Sequence, residues 1–415
     1  MVNRLRQLEQ DVLAEGREWT RRTLEKRLQD DSEALPVACP QTGEGLKDVR
    51  WRDLQLMTIS GVVQLRVRHG FSPALGQWVC PVRQAWGLKA YQRLSPELES
   101  RLVYTASETT SYEAAAQLAT RWGCPVSDGC IHQHMQRLGA AAEQMELPHP
   151  AIPPQEPEFS LVIMLDGWLA RERGPDWGAG PRKKEPQRIL WHEVKSAVIY
   201  RLERRAANDS GRGMLIEKFV VATPPETSPV DFGAAVQAEA RRRGMGRAKC
   251  VYLVMDGALW LWELAKDRFA QARKTLDFHH ARDHLWAIAN SLHGEDSPEA
   301  RAWVQPLLRS LRKGRENQVV HQLVELLRNP SEGTPEKQEL IKREVRFFVK
   351  HRHHLHYQAM EKAGAPRGSS AVESLGKQFQ QRSRGRRQIW SRPGFTRLLK
   401  VVVLVKNQDE FLLWN

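Results

Sequence analysis

Cysteine is scarce in this chain of 415 residues: Cys39, Cys80, Cys124, Cys130 and Cys250 are all there are. The number is odd and no two stand in a CxxC pair, which excludes a secreted disulfide framework. Long apolar runs are missing too. The strongest near the end, Val401 to Val405, is far too short to span a bilayer. The N-terminus, MVNRLRQLEQ, has no apolar stretch behind its charges, so no signal peptide is read there. Acidic residues fall short of basic ones, 49 against 63, giving a formal net charge of +14 and a pI near 9.7. That excess favours a polyanionic partner through phosphate contacts and counterion release. No internal repeat or low-complexity segment stands out. A hydrophobic fraction of 41% with 27% charged residues marks a globular chain long enough for two or three domains.

Residues 1–96 read as a charged amphipathic helix followed by a β-hairpin, LQLMTIS and VVQLRVR, turning near Ser60-Gly61. Residues 97–146 read as helices. Within them YEAAAQLATRWGCPVSDGCIHQHMQRLG has the form of a helix-turn-helix, with Gly123 at the turn and Ser127 capping the second helix. A DNA-binding role is expected for that pair, Ser127 included. Residues 147–159, PHPAIPPQEPEFS, are a proline-stiffened linker.

The pattern then turns to α/β. SLVIMLDG, WHEVKSAVIYRLE, MLIEKFVVAT, CVYLVMDG and KTLDFHH read as strands. VDFGAAVQAEARRRG and ALWLWELAKDRF fall between them as helices, giving the order β-β-β-α-β-α-β over 160–283. This is the order of a ribonuclease-H-like sheet. An all-helical insertion is expected over 284–365, broken at Gly294, Gly314 and Asn329-Pro330. The core closes with 366–415. The fold class is thus an α/β ribonuclease-H-like core with an all-α insertion, behind a mixed α+β N-terminal region containing a helix-turn-helix.

Two buried strands end alike, VIMLDG and YLVMDG. An Asp leaving the carboxyl end of such a strand lies at the usual ligand crevice of an α/β sheet, and the following Gly lets the chain turn sharply. The first and fourth strands of this order can be parallel neighbours, which sets Asp166 beside Asp256. Two adjacent carboxylates repel unless a cation neutralises them, and magnesium fits such a pair. Glu373, in GSSAVESLGKQFQQR, begins a helix capped by Ser369 or Ser370 and supplies the third carboxylate. Two ions about 4 Å apart would suit in-line displacement at phosphorus.

LDGWLARERGPDWG, WHEVKSAVIYRLE, PPETSPVDFG, VYLVMDGALWLW, TLDFHHARDHLW, GEDSPEARAWV and GSSAVESL, in this order, resemble the ISKra family of insertion-sequence transposases. The resemblance covers most of residues 160–415. It implies a bacterial DDE transposase similar at its core to Mutator-like transposases, with Asp166, Asp256 and Glu373 as catalytic ligands of Mg2+ or Mn2+. The implied reaction is hydrolysis at the element's inverted repeats, then attack of the freed 3′-hydroxyl on target DNA. It further implies DNA partners, a homo-oligomer (a dimer), no membrane, and a cytoplasmic, nucleoid-associated site of action. In related transposases an Asp or Cys precedes a His by three residues just after the second catalytic strand. Asp277 and His280 have that spacing and are expected to shape the site. The family's paired cysteines around the hairpin shrink here to Cys39 and Cys80, too few for a four-ligand zinc site.

The tail QQRSRGRRQIWSRPGFTR adds a basic, aromatic candidate for the DNA backbone: Arg382, Arg384, Arg386, Arg387, Arg392 and Trp390. The other tryptophans near the strand ends, Trp168, Trp177, Trp191, Trp260 and Trp262, read mostly as core anchors. HRHHLHYQAM reads as a basic, partly exposed helix face. The rivals to a transposase are another nuclease on the same core, such as a junction resolvase, and a decayed or domesticated DNA-binding protein.

Overall fold

The computed structural model describes residues 3–148, 158–178, 187–207, 213–328, 334–385 and 388–414. The expected linker therefore lies largely outside the described residues, as do Asn329, Pro330, Arg386 and Arg387. The chain divides into two compact units, one of residues 1–141 with the tail from Glu410, the other of Ala142–Asp409.

The first unit opens with α1 (Arg4–Ala34), followed by β1 (Lys47–Thr58), β2 (Gly61–Ser72), β3 (Gln77–Val79) and the short α2 (Pro81–Ala85). α3 (Pro96–Glu108), α4 (Tyr112–Arg121) and α5 (Asp128–Glu143) follow. β1 and β2 form the expected hairpin, turning at Gly61 with φ +113°. Leu54, Leu56, Val63, Leu65 and Val67 alternate into its core. The outer edge of β2 is not left bare. Glu25 and Gln29 of α1 accept the Gln64 and Arg66 amides at 3.0 Å each, which shields an edge that could otherwise pair with another chain. Gly123, at φ +82°, ends α4, and Ser127 Oγ accepts the Cys130 amide at 3.2 Å to cap α5.

The second unit carries β4 (Ser160–Arg173), β5 (Ile189–Arg201), the small hairpin β6 (Arg205–Ala207) and β7 (Gly213–Leu215), and β8 (Phe219–Thr223). Then come α6 (Pro229–Arg242), β9 (Cys250–Met255), α7 (Leu259–Arg268) and β10 (Arg273–Leu276). MLIEKFVVAT, expected as one strand, is thus divided between β7 and β8. The five-stranded sheet has the order β10-β9-β4-β5-β8. β4, β9 and β10 are parallel, while β5 runs antiparallel to both β4 and β8.

The continuous apolar runs in β4 and β9 follow from burial on both faces. Leu161, Ile163 and Leu165 pack with Phe232 and Val236 of α6 and Leu261 and Leu264 of α7. On the other face lie α13 (Ser370–Ser383) and α14 (Arg392–Lys406), where Trp168 stacks on Phe379 at 5.5 Å. Asn407, after α14, exchanges two hydrogen bonds with the backbone of Val220, like a ladder partner for β8.

Between β10 and α13 stand α8 (Phe278–His293), α9 (Pro298–Arg312), α10 (Glu316–Arg328), α11 (Pro335–His351) and α12 (Tyr357–Lys362). They bury their own cluster around Leu285, Val304, Leu308, Val319 and Phe348. Gly294 and Gly314 break it as expected, both at positive φ. The helical segment starts earlier than 284, however: KTLDFHH is a strand only to Leu276, and Asp277 caps a helix from Phe278. No helix among the described residues is long and apolar enough to cross a membrane.

Candidate metal centre

Register brings the carboxylates together. Leu165 of β4 stands opposite Met255 of β9, and Met255 stands opposite Leu276 of β10. The next residue in each chain segment is an aspartate, so Asp166, Asp256 and Asp277 form a row along one edge of the parallel strands. The Asp277 amide donates to Met255 O at 2.8 Å, which fixes the third member of the row to the second strand.

Asp166 is not at the end of its strand, contrary to the expectation from VIMLDG. β4 continues to Arg173 against β5; only its pairing with β9 stops at Leu165. The glycines also serve differently from expectation. Neither Gly167 nor Gly257 has a positive φ. A Cβ on Gly167 would overlap the Glu193 carboxylate, and one on Gly257 would overlap the Phe347 ring. Close approach of the Phe347 ring, not a sharp turn, is what favours glycine at 257; at 167 the neighbour is the flexible end of Glu193. Asp256 Oδ1 accepts the Ala258 amide at 2.8 Å, and its carbonyl accepts the Trp262 indole N–H at 2.8 Å.

Glu373 comes from the first turn of α13, as read from the sequence. Its position is set by a chain of contacts through fully buried Asp277. Asp277 Oδ1 accepts the His280 amide at 2.9 Å and so caps α8. Asp277 Oδ2 accepts from both the amide and the hydroxyl of Ser369, the latter at 2.8 Å. The same hydroxyl lies 3.1 Å from Glu373 Oε1. Ligand atoms of Asp277, His280 and Glu373 all fall within 4.8 Å of one another. Two carboxylates and one imidazole make a set that could hold a divalent cation and is unlike the thiolate set of a soft metal.

Crowding of charge shows on Asp166. Burial pushes its carboxyl up to about 6, and the neighbouring charges of Asp256 and Glu373 add to the rise, while the Gly167 amide and His280 oppose it. The sign of the linkage follows. With a folded value above the ordinary 3.8, Asp166 destabilises the metal-free fold as pH rises through that range, and the cost is complete above about 6. Asp166→Asn should therefore raise the melting temperature of the metal-free protein at pH 7.5, by about 1–2 kcal/mol of stability. The gain should vanish near pH 4. Thermal melts in chelator test this, and a variant melting at or below wild type at pH 7.5 refutes it.

The remaining expected residues are more dispersed. Ser127, in the first unit, is exposed at its cap position. Arg382 is buried, 4% exposed, with its guanidinium over the Trp390 ring, so it faces the interior instead of a phosphate. Trp390 donates its indole N–H to Ser383 O at 2.8 Å and pairs by backbone with Arg171 and Arg173. That half-buried ring ties the α13–α14 connection to β4 and is not an open stacking platform. Arg392 lies 3.2 Å from buried Glu172, and Arg384 lies over Trp191. Arg386 and Arg387 fall outside the described residues.

HRHHLHYQAM is not a basic outer face throughout. His351 and His354 pack on Trp262, with ring centres 4.7 and 4.2 Å away, and burial pushes both imidazoles down to about 4. Nor are Trp177 and Trp191 core anchors: they are 43% and 50% exposed. No sequence signal marked this: ILWHE carries no apolar-polar alternation, and it is the burial in β5, alternating from Ile189 to Glu193 and unbroken from Val194, that shows where the strand leaves the two-sided core.

Neither a protein-family model nor a curated protein matches the chain. Among solved structures, it is similar to the Drosophila P element transposase strand transfer complex at 11% identity and a TM-score of 0.38. That alignment covers 78% of this chain and 94% of the other, a similarity too low to assign fold or activity.

Proposed function

We propose that this chain is a DDE-type transposase of the ISKra kind, built on a ribonuclease-H-like core. The observation that carries the reading is the convergence of Asp166, Asp256 and Glu373. In support, Asp166 and Asp256 follow paired residues of neighbouring parallel strands in a sheet whose strands, counted within the core, run 5-4-1-2-3, and Asp166 feels the charges of both Asp256 and Glu373, although the ligand atoms within 4.8 Å of one another are those of Asp277, His280 and Glu373. Asp166, Asp256 and Glu373 would hold two divalent ions, Mg2+ or Mn2+. Bound ions supply activation of the attacking oxygen and neutralisation of the leaving one. The chain's own residues fix the geometry. Asp256 is held by the Ala258 amide, and Glu373 is set by the Ser369–Asp277 clamp, with His280 beside it.

In the first reaction, water forms a bond to phosphorus and the P–O3′ bond at the element end breaks. In the second, the freed 3′-hydroxyl attacks a target phosphodiester and the target's own 3′-oxygen leaves. Each step exchanges one P–O bond for another, so positioning and electrostatics carry the catalysis. α4 and α5 act as the helix-turn-helix that grips the inverted repeats, with Ser127 at the start of the second helix. Residues 278–365 form the helical insertion. Two element ends require a homo-oligomer, a dimer.

The test is to incubate the full chain with duplexes carrying the DNA ends that flank its coding sequence. Nicking at those ends is expected with Mg2+ or Mn2+ and none with chelator. Cutting that persists in chelator overturns the metal assignment. Binding without cutting under every metal points to a DNA-binding protein that has lost its activity. Cutting of branched junctions in preference to the ends points to a resolvase.

A further inference from the structure

Past Asp166 the β4–β5 pair leaves the sheet. β9 has stopped opposite Leu165 and β8 opposite Lys195, yet β4 runs on to Arg173 with Ile189–Val194 of β5 beside it. Six residues of β4, Trp168 to Arg173, at about 3.3 Å each make a two-stranded ribbon roughly 20 Å long. Alternation splits it into two faces. Trp168, Ala170 and Glu172 are buried toward α13 and α14. The other face sets Leu169, Arg171 and Arg173 opposite Glu193, Trp191 and Ile189; apart from the Arg384–Gly385 segment beside Arg171 and Trp191 it is open, with Leu169, Trp191 and Ile189 47%, 50% and 40% exposed.

An open strand face that combines exposed tryptophan with guanidinium groups has a specific chemistry. The Arg171 and Arg384 guanidiniums lie 5.9 and 4.7 Å from the centre of Trp191, and Arg173 lies 5.4 Å from Trp177. Arg171 reaches the carbonyls of Arg384 and Gly385, and Arg173 that of Ile389, so no described carboxylate neutralises them. Glu193 is the one acid among the ribbon-face positions, and it sits over Gly167 at the near end. Flat rings with cations between them match unpaired bases joined by phosphates. A paired duplex hides its ring faces and would leave the tryptophans unused.

We propose that this ribbon face binds an unpaired stretch of the nucleic-acid strand leaving the metal centre. Trp191 and Trp177 stack on bases, and Arg171, Arg173 and Arg384 meet phosphates. Arg171 and Trp191 stand five residues beyond Asp166, roughly 17 Å along the strand. At the roughly 3.4 Å per nucleotide of a stacked strand, and more if it is extended, contact falls within about five nucleotides of the phosphate held by the carboxylates. The inference rests on the proposed function only in taking nucleic acid as the substrate of that centre.

Binding of the full chain, in chelator to prevent cutting, would be measured by fluorescence anisotropy. One probe is a blunt duplex; the other is the same duplex with a single-stranded extension of about ten nucleotides. Wild type should bind the extended probe at least about tenfold more tightly. The double variant Trp177→Ala/Trp191→Ala should lose that gain and keep its blunt-duplex affinity, and Trp191→Phe should retain most of the gain. Circular dichroism confirms that each variant is folded. If wild type binds both probes equally, or the double variant keeps the gain, the proposal fails and the face belongs to a protein contact. If wild type binds no nucleic acid at all, the proposed function fails with it.

Discussion

Asp256→Asn, and separately Glu373→Gln, should lower metal-dependent cleavage by at least about 10³-fold while DNA binding stays within about twofold. Both replacements keep shape and remove charge. Asparagine retains an oxygen to accept the Ala258 amide, so the turn after β9 survives. Glutamine retains an oxygen for the Ser369 hydroxyl, so α13 keeps its first turn. What disappears is the anionic ligand, worth several kcal/mol of transition-state stabilisation, or a factor of ten for each 1.4 kcal/mol or so. Rates from single-turnover cleavage, beside affinities from anisotropy, make the comparison. Cleavage within about tenfold of wild type in either variant removes that residue from the metal set. Survival of Glu373→Gln together with loss in Asp277→Asn would transfer the third ligand role to Asp277, which lies in the same cluster with His280.

The largest stability effect is expected far from the site. Asp409→Ala should cost about 3–5 kcal/mol, seen as a fall of roughly 10 °C or more in the melting temperature. Asp409 receives two bonds from Arg242, at 2.6 and 2.7 Å, and one from Arg243 at 3.2 Å. Glu239 completes a set of two cations and two anions, nearly all of it buried. Removing one anion leaves an uncompensated guanidinium in the interior, which is far more costly than breaking an exposed pair. Glu97→Ala, which breaks the exposed pair with Arg101, is the control and should cost under about 1 kcal/mol. Equal losses in the two variants would refute the argument. The network also ties α6 to the chain just after Asn407, so its loss should loosen the layer that carries Glu373.

Much of the core could be read from residues alone. SLVIML and CVYLVM are unbroken apolar runs because both faces of β4 and β9 are covered, and such runs announce themselves without a partner in view. The first-turn position of Glu373 is local and was equally plain, but the expected serine cap was not found: Ser369 stands at the N-cap position without a side-chain cap bond, its hydroxyl turned to Asp277 and Glu373. Register was not. Nothing in VIMLDGWLARER says that the strand continues past Asp166, because GWLARER is held extended by its pairing with Ile189–Lys195 of β5, with α13 and α14 covering Trp168, Ala170 and Glu172. The same gap misplaced the aromatics. Trp390 looked like a free ring among arginines, but its N–H is held by Ser383, while Trp191 looked like core and is half open to solvent. His351 looked exposed because a helix face with several basic residues is usually wet; its burial comes from Trp262 of α7, distant in sequence, together with Phe347 one turn earlier on α11.

The bond from Ser369 to Asp277 spans 92 positions of sequence. During synthesis, strands β4, β9 and β10 and the whole helical segment emerge before the residue that positions Glu373 exists. Closing so distant a contact is slow and comes late in folding. A chain that stalls, is cut or terminates before residue 369 carries Asp166 and Asp256 but no complete ligand set. On the proposed function, cleavage therefore waits until Ser369 and Glu373 have been made and joined to Asp277.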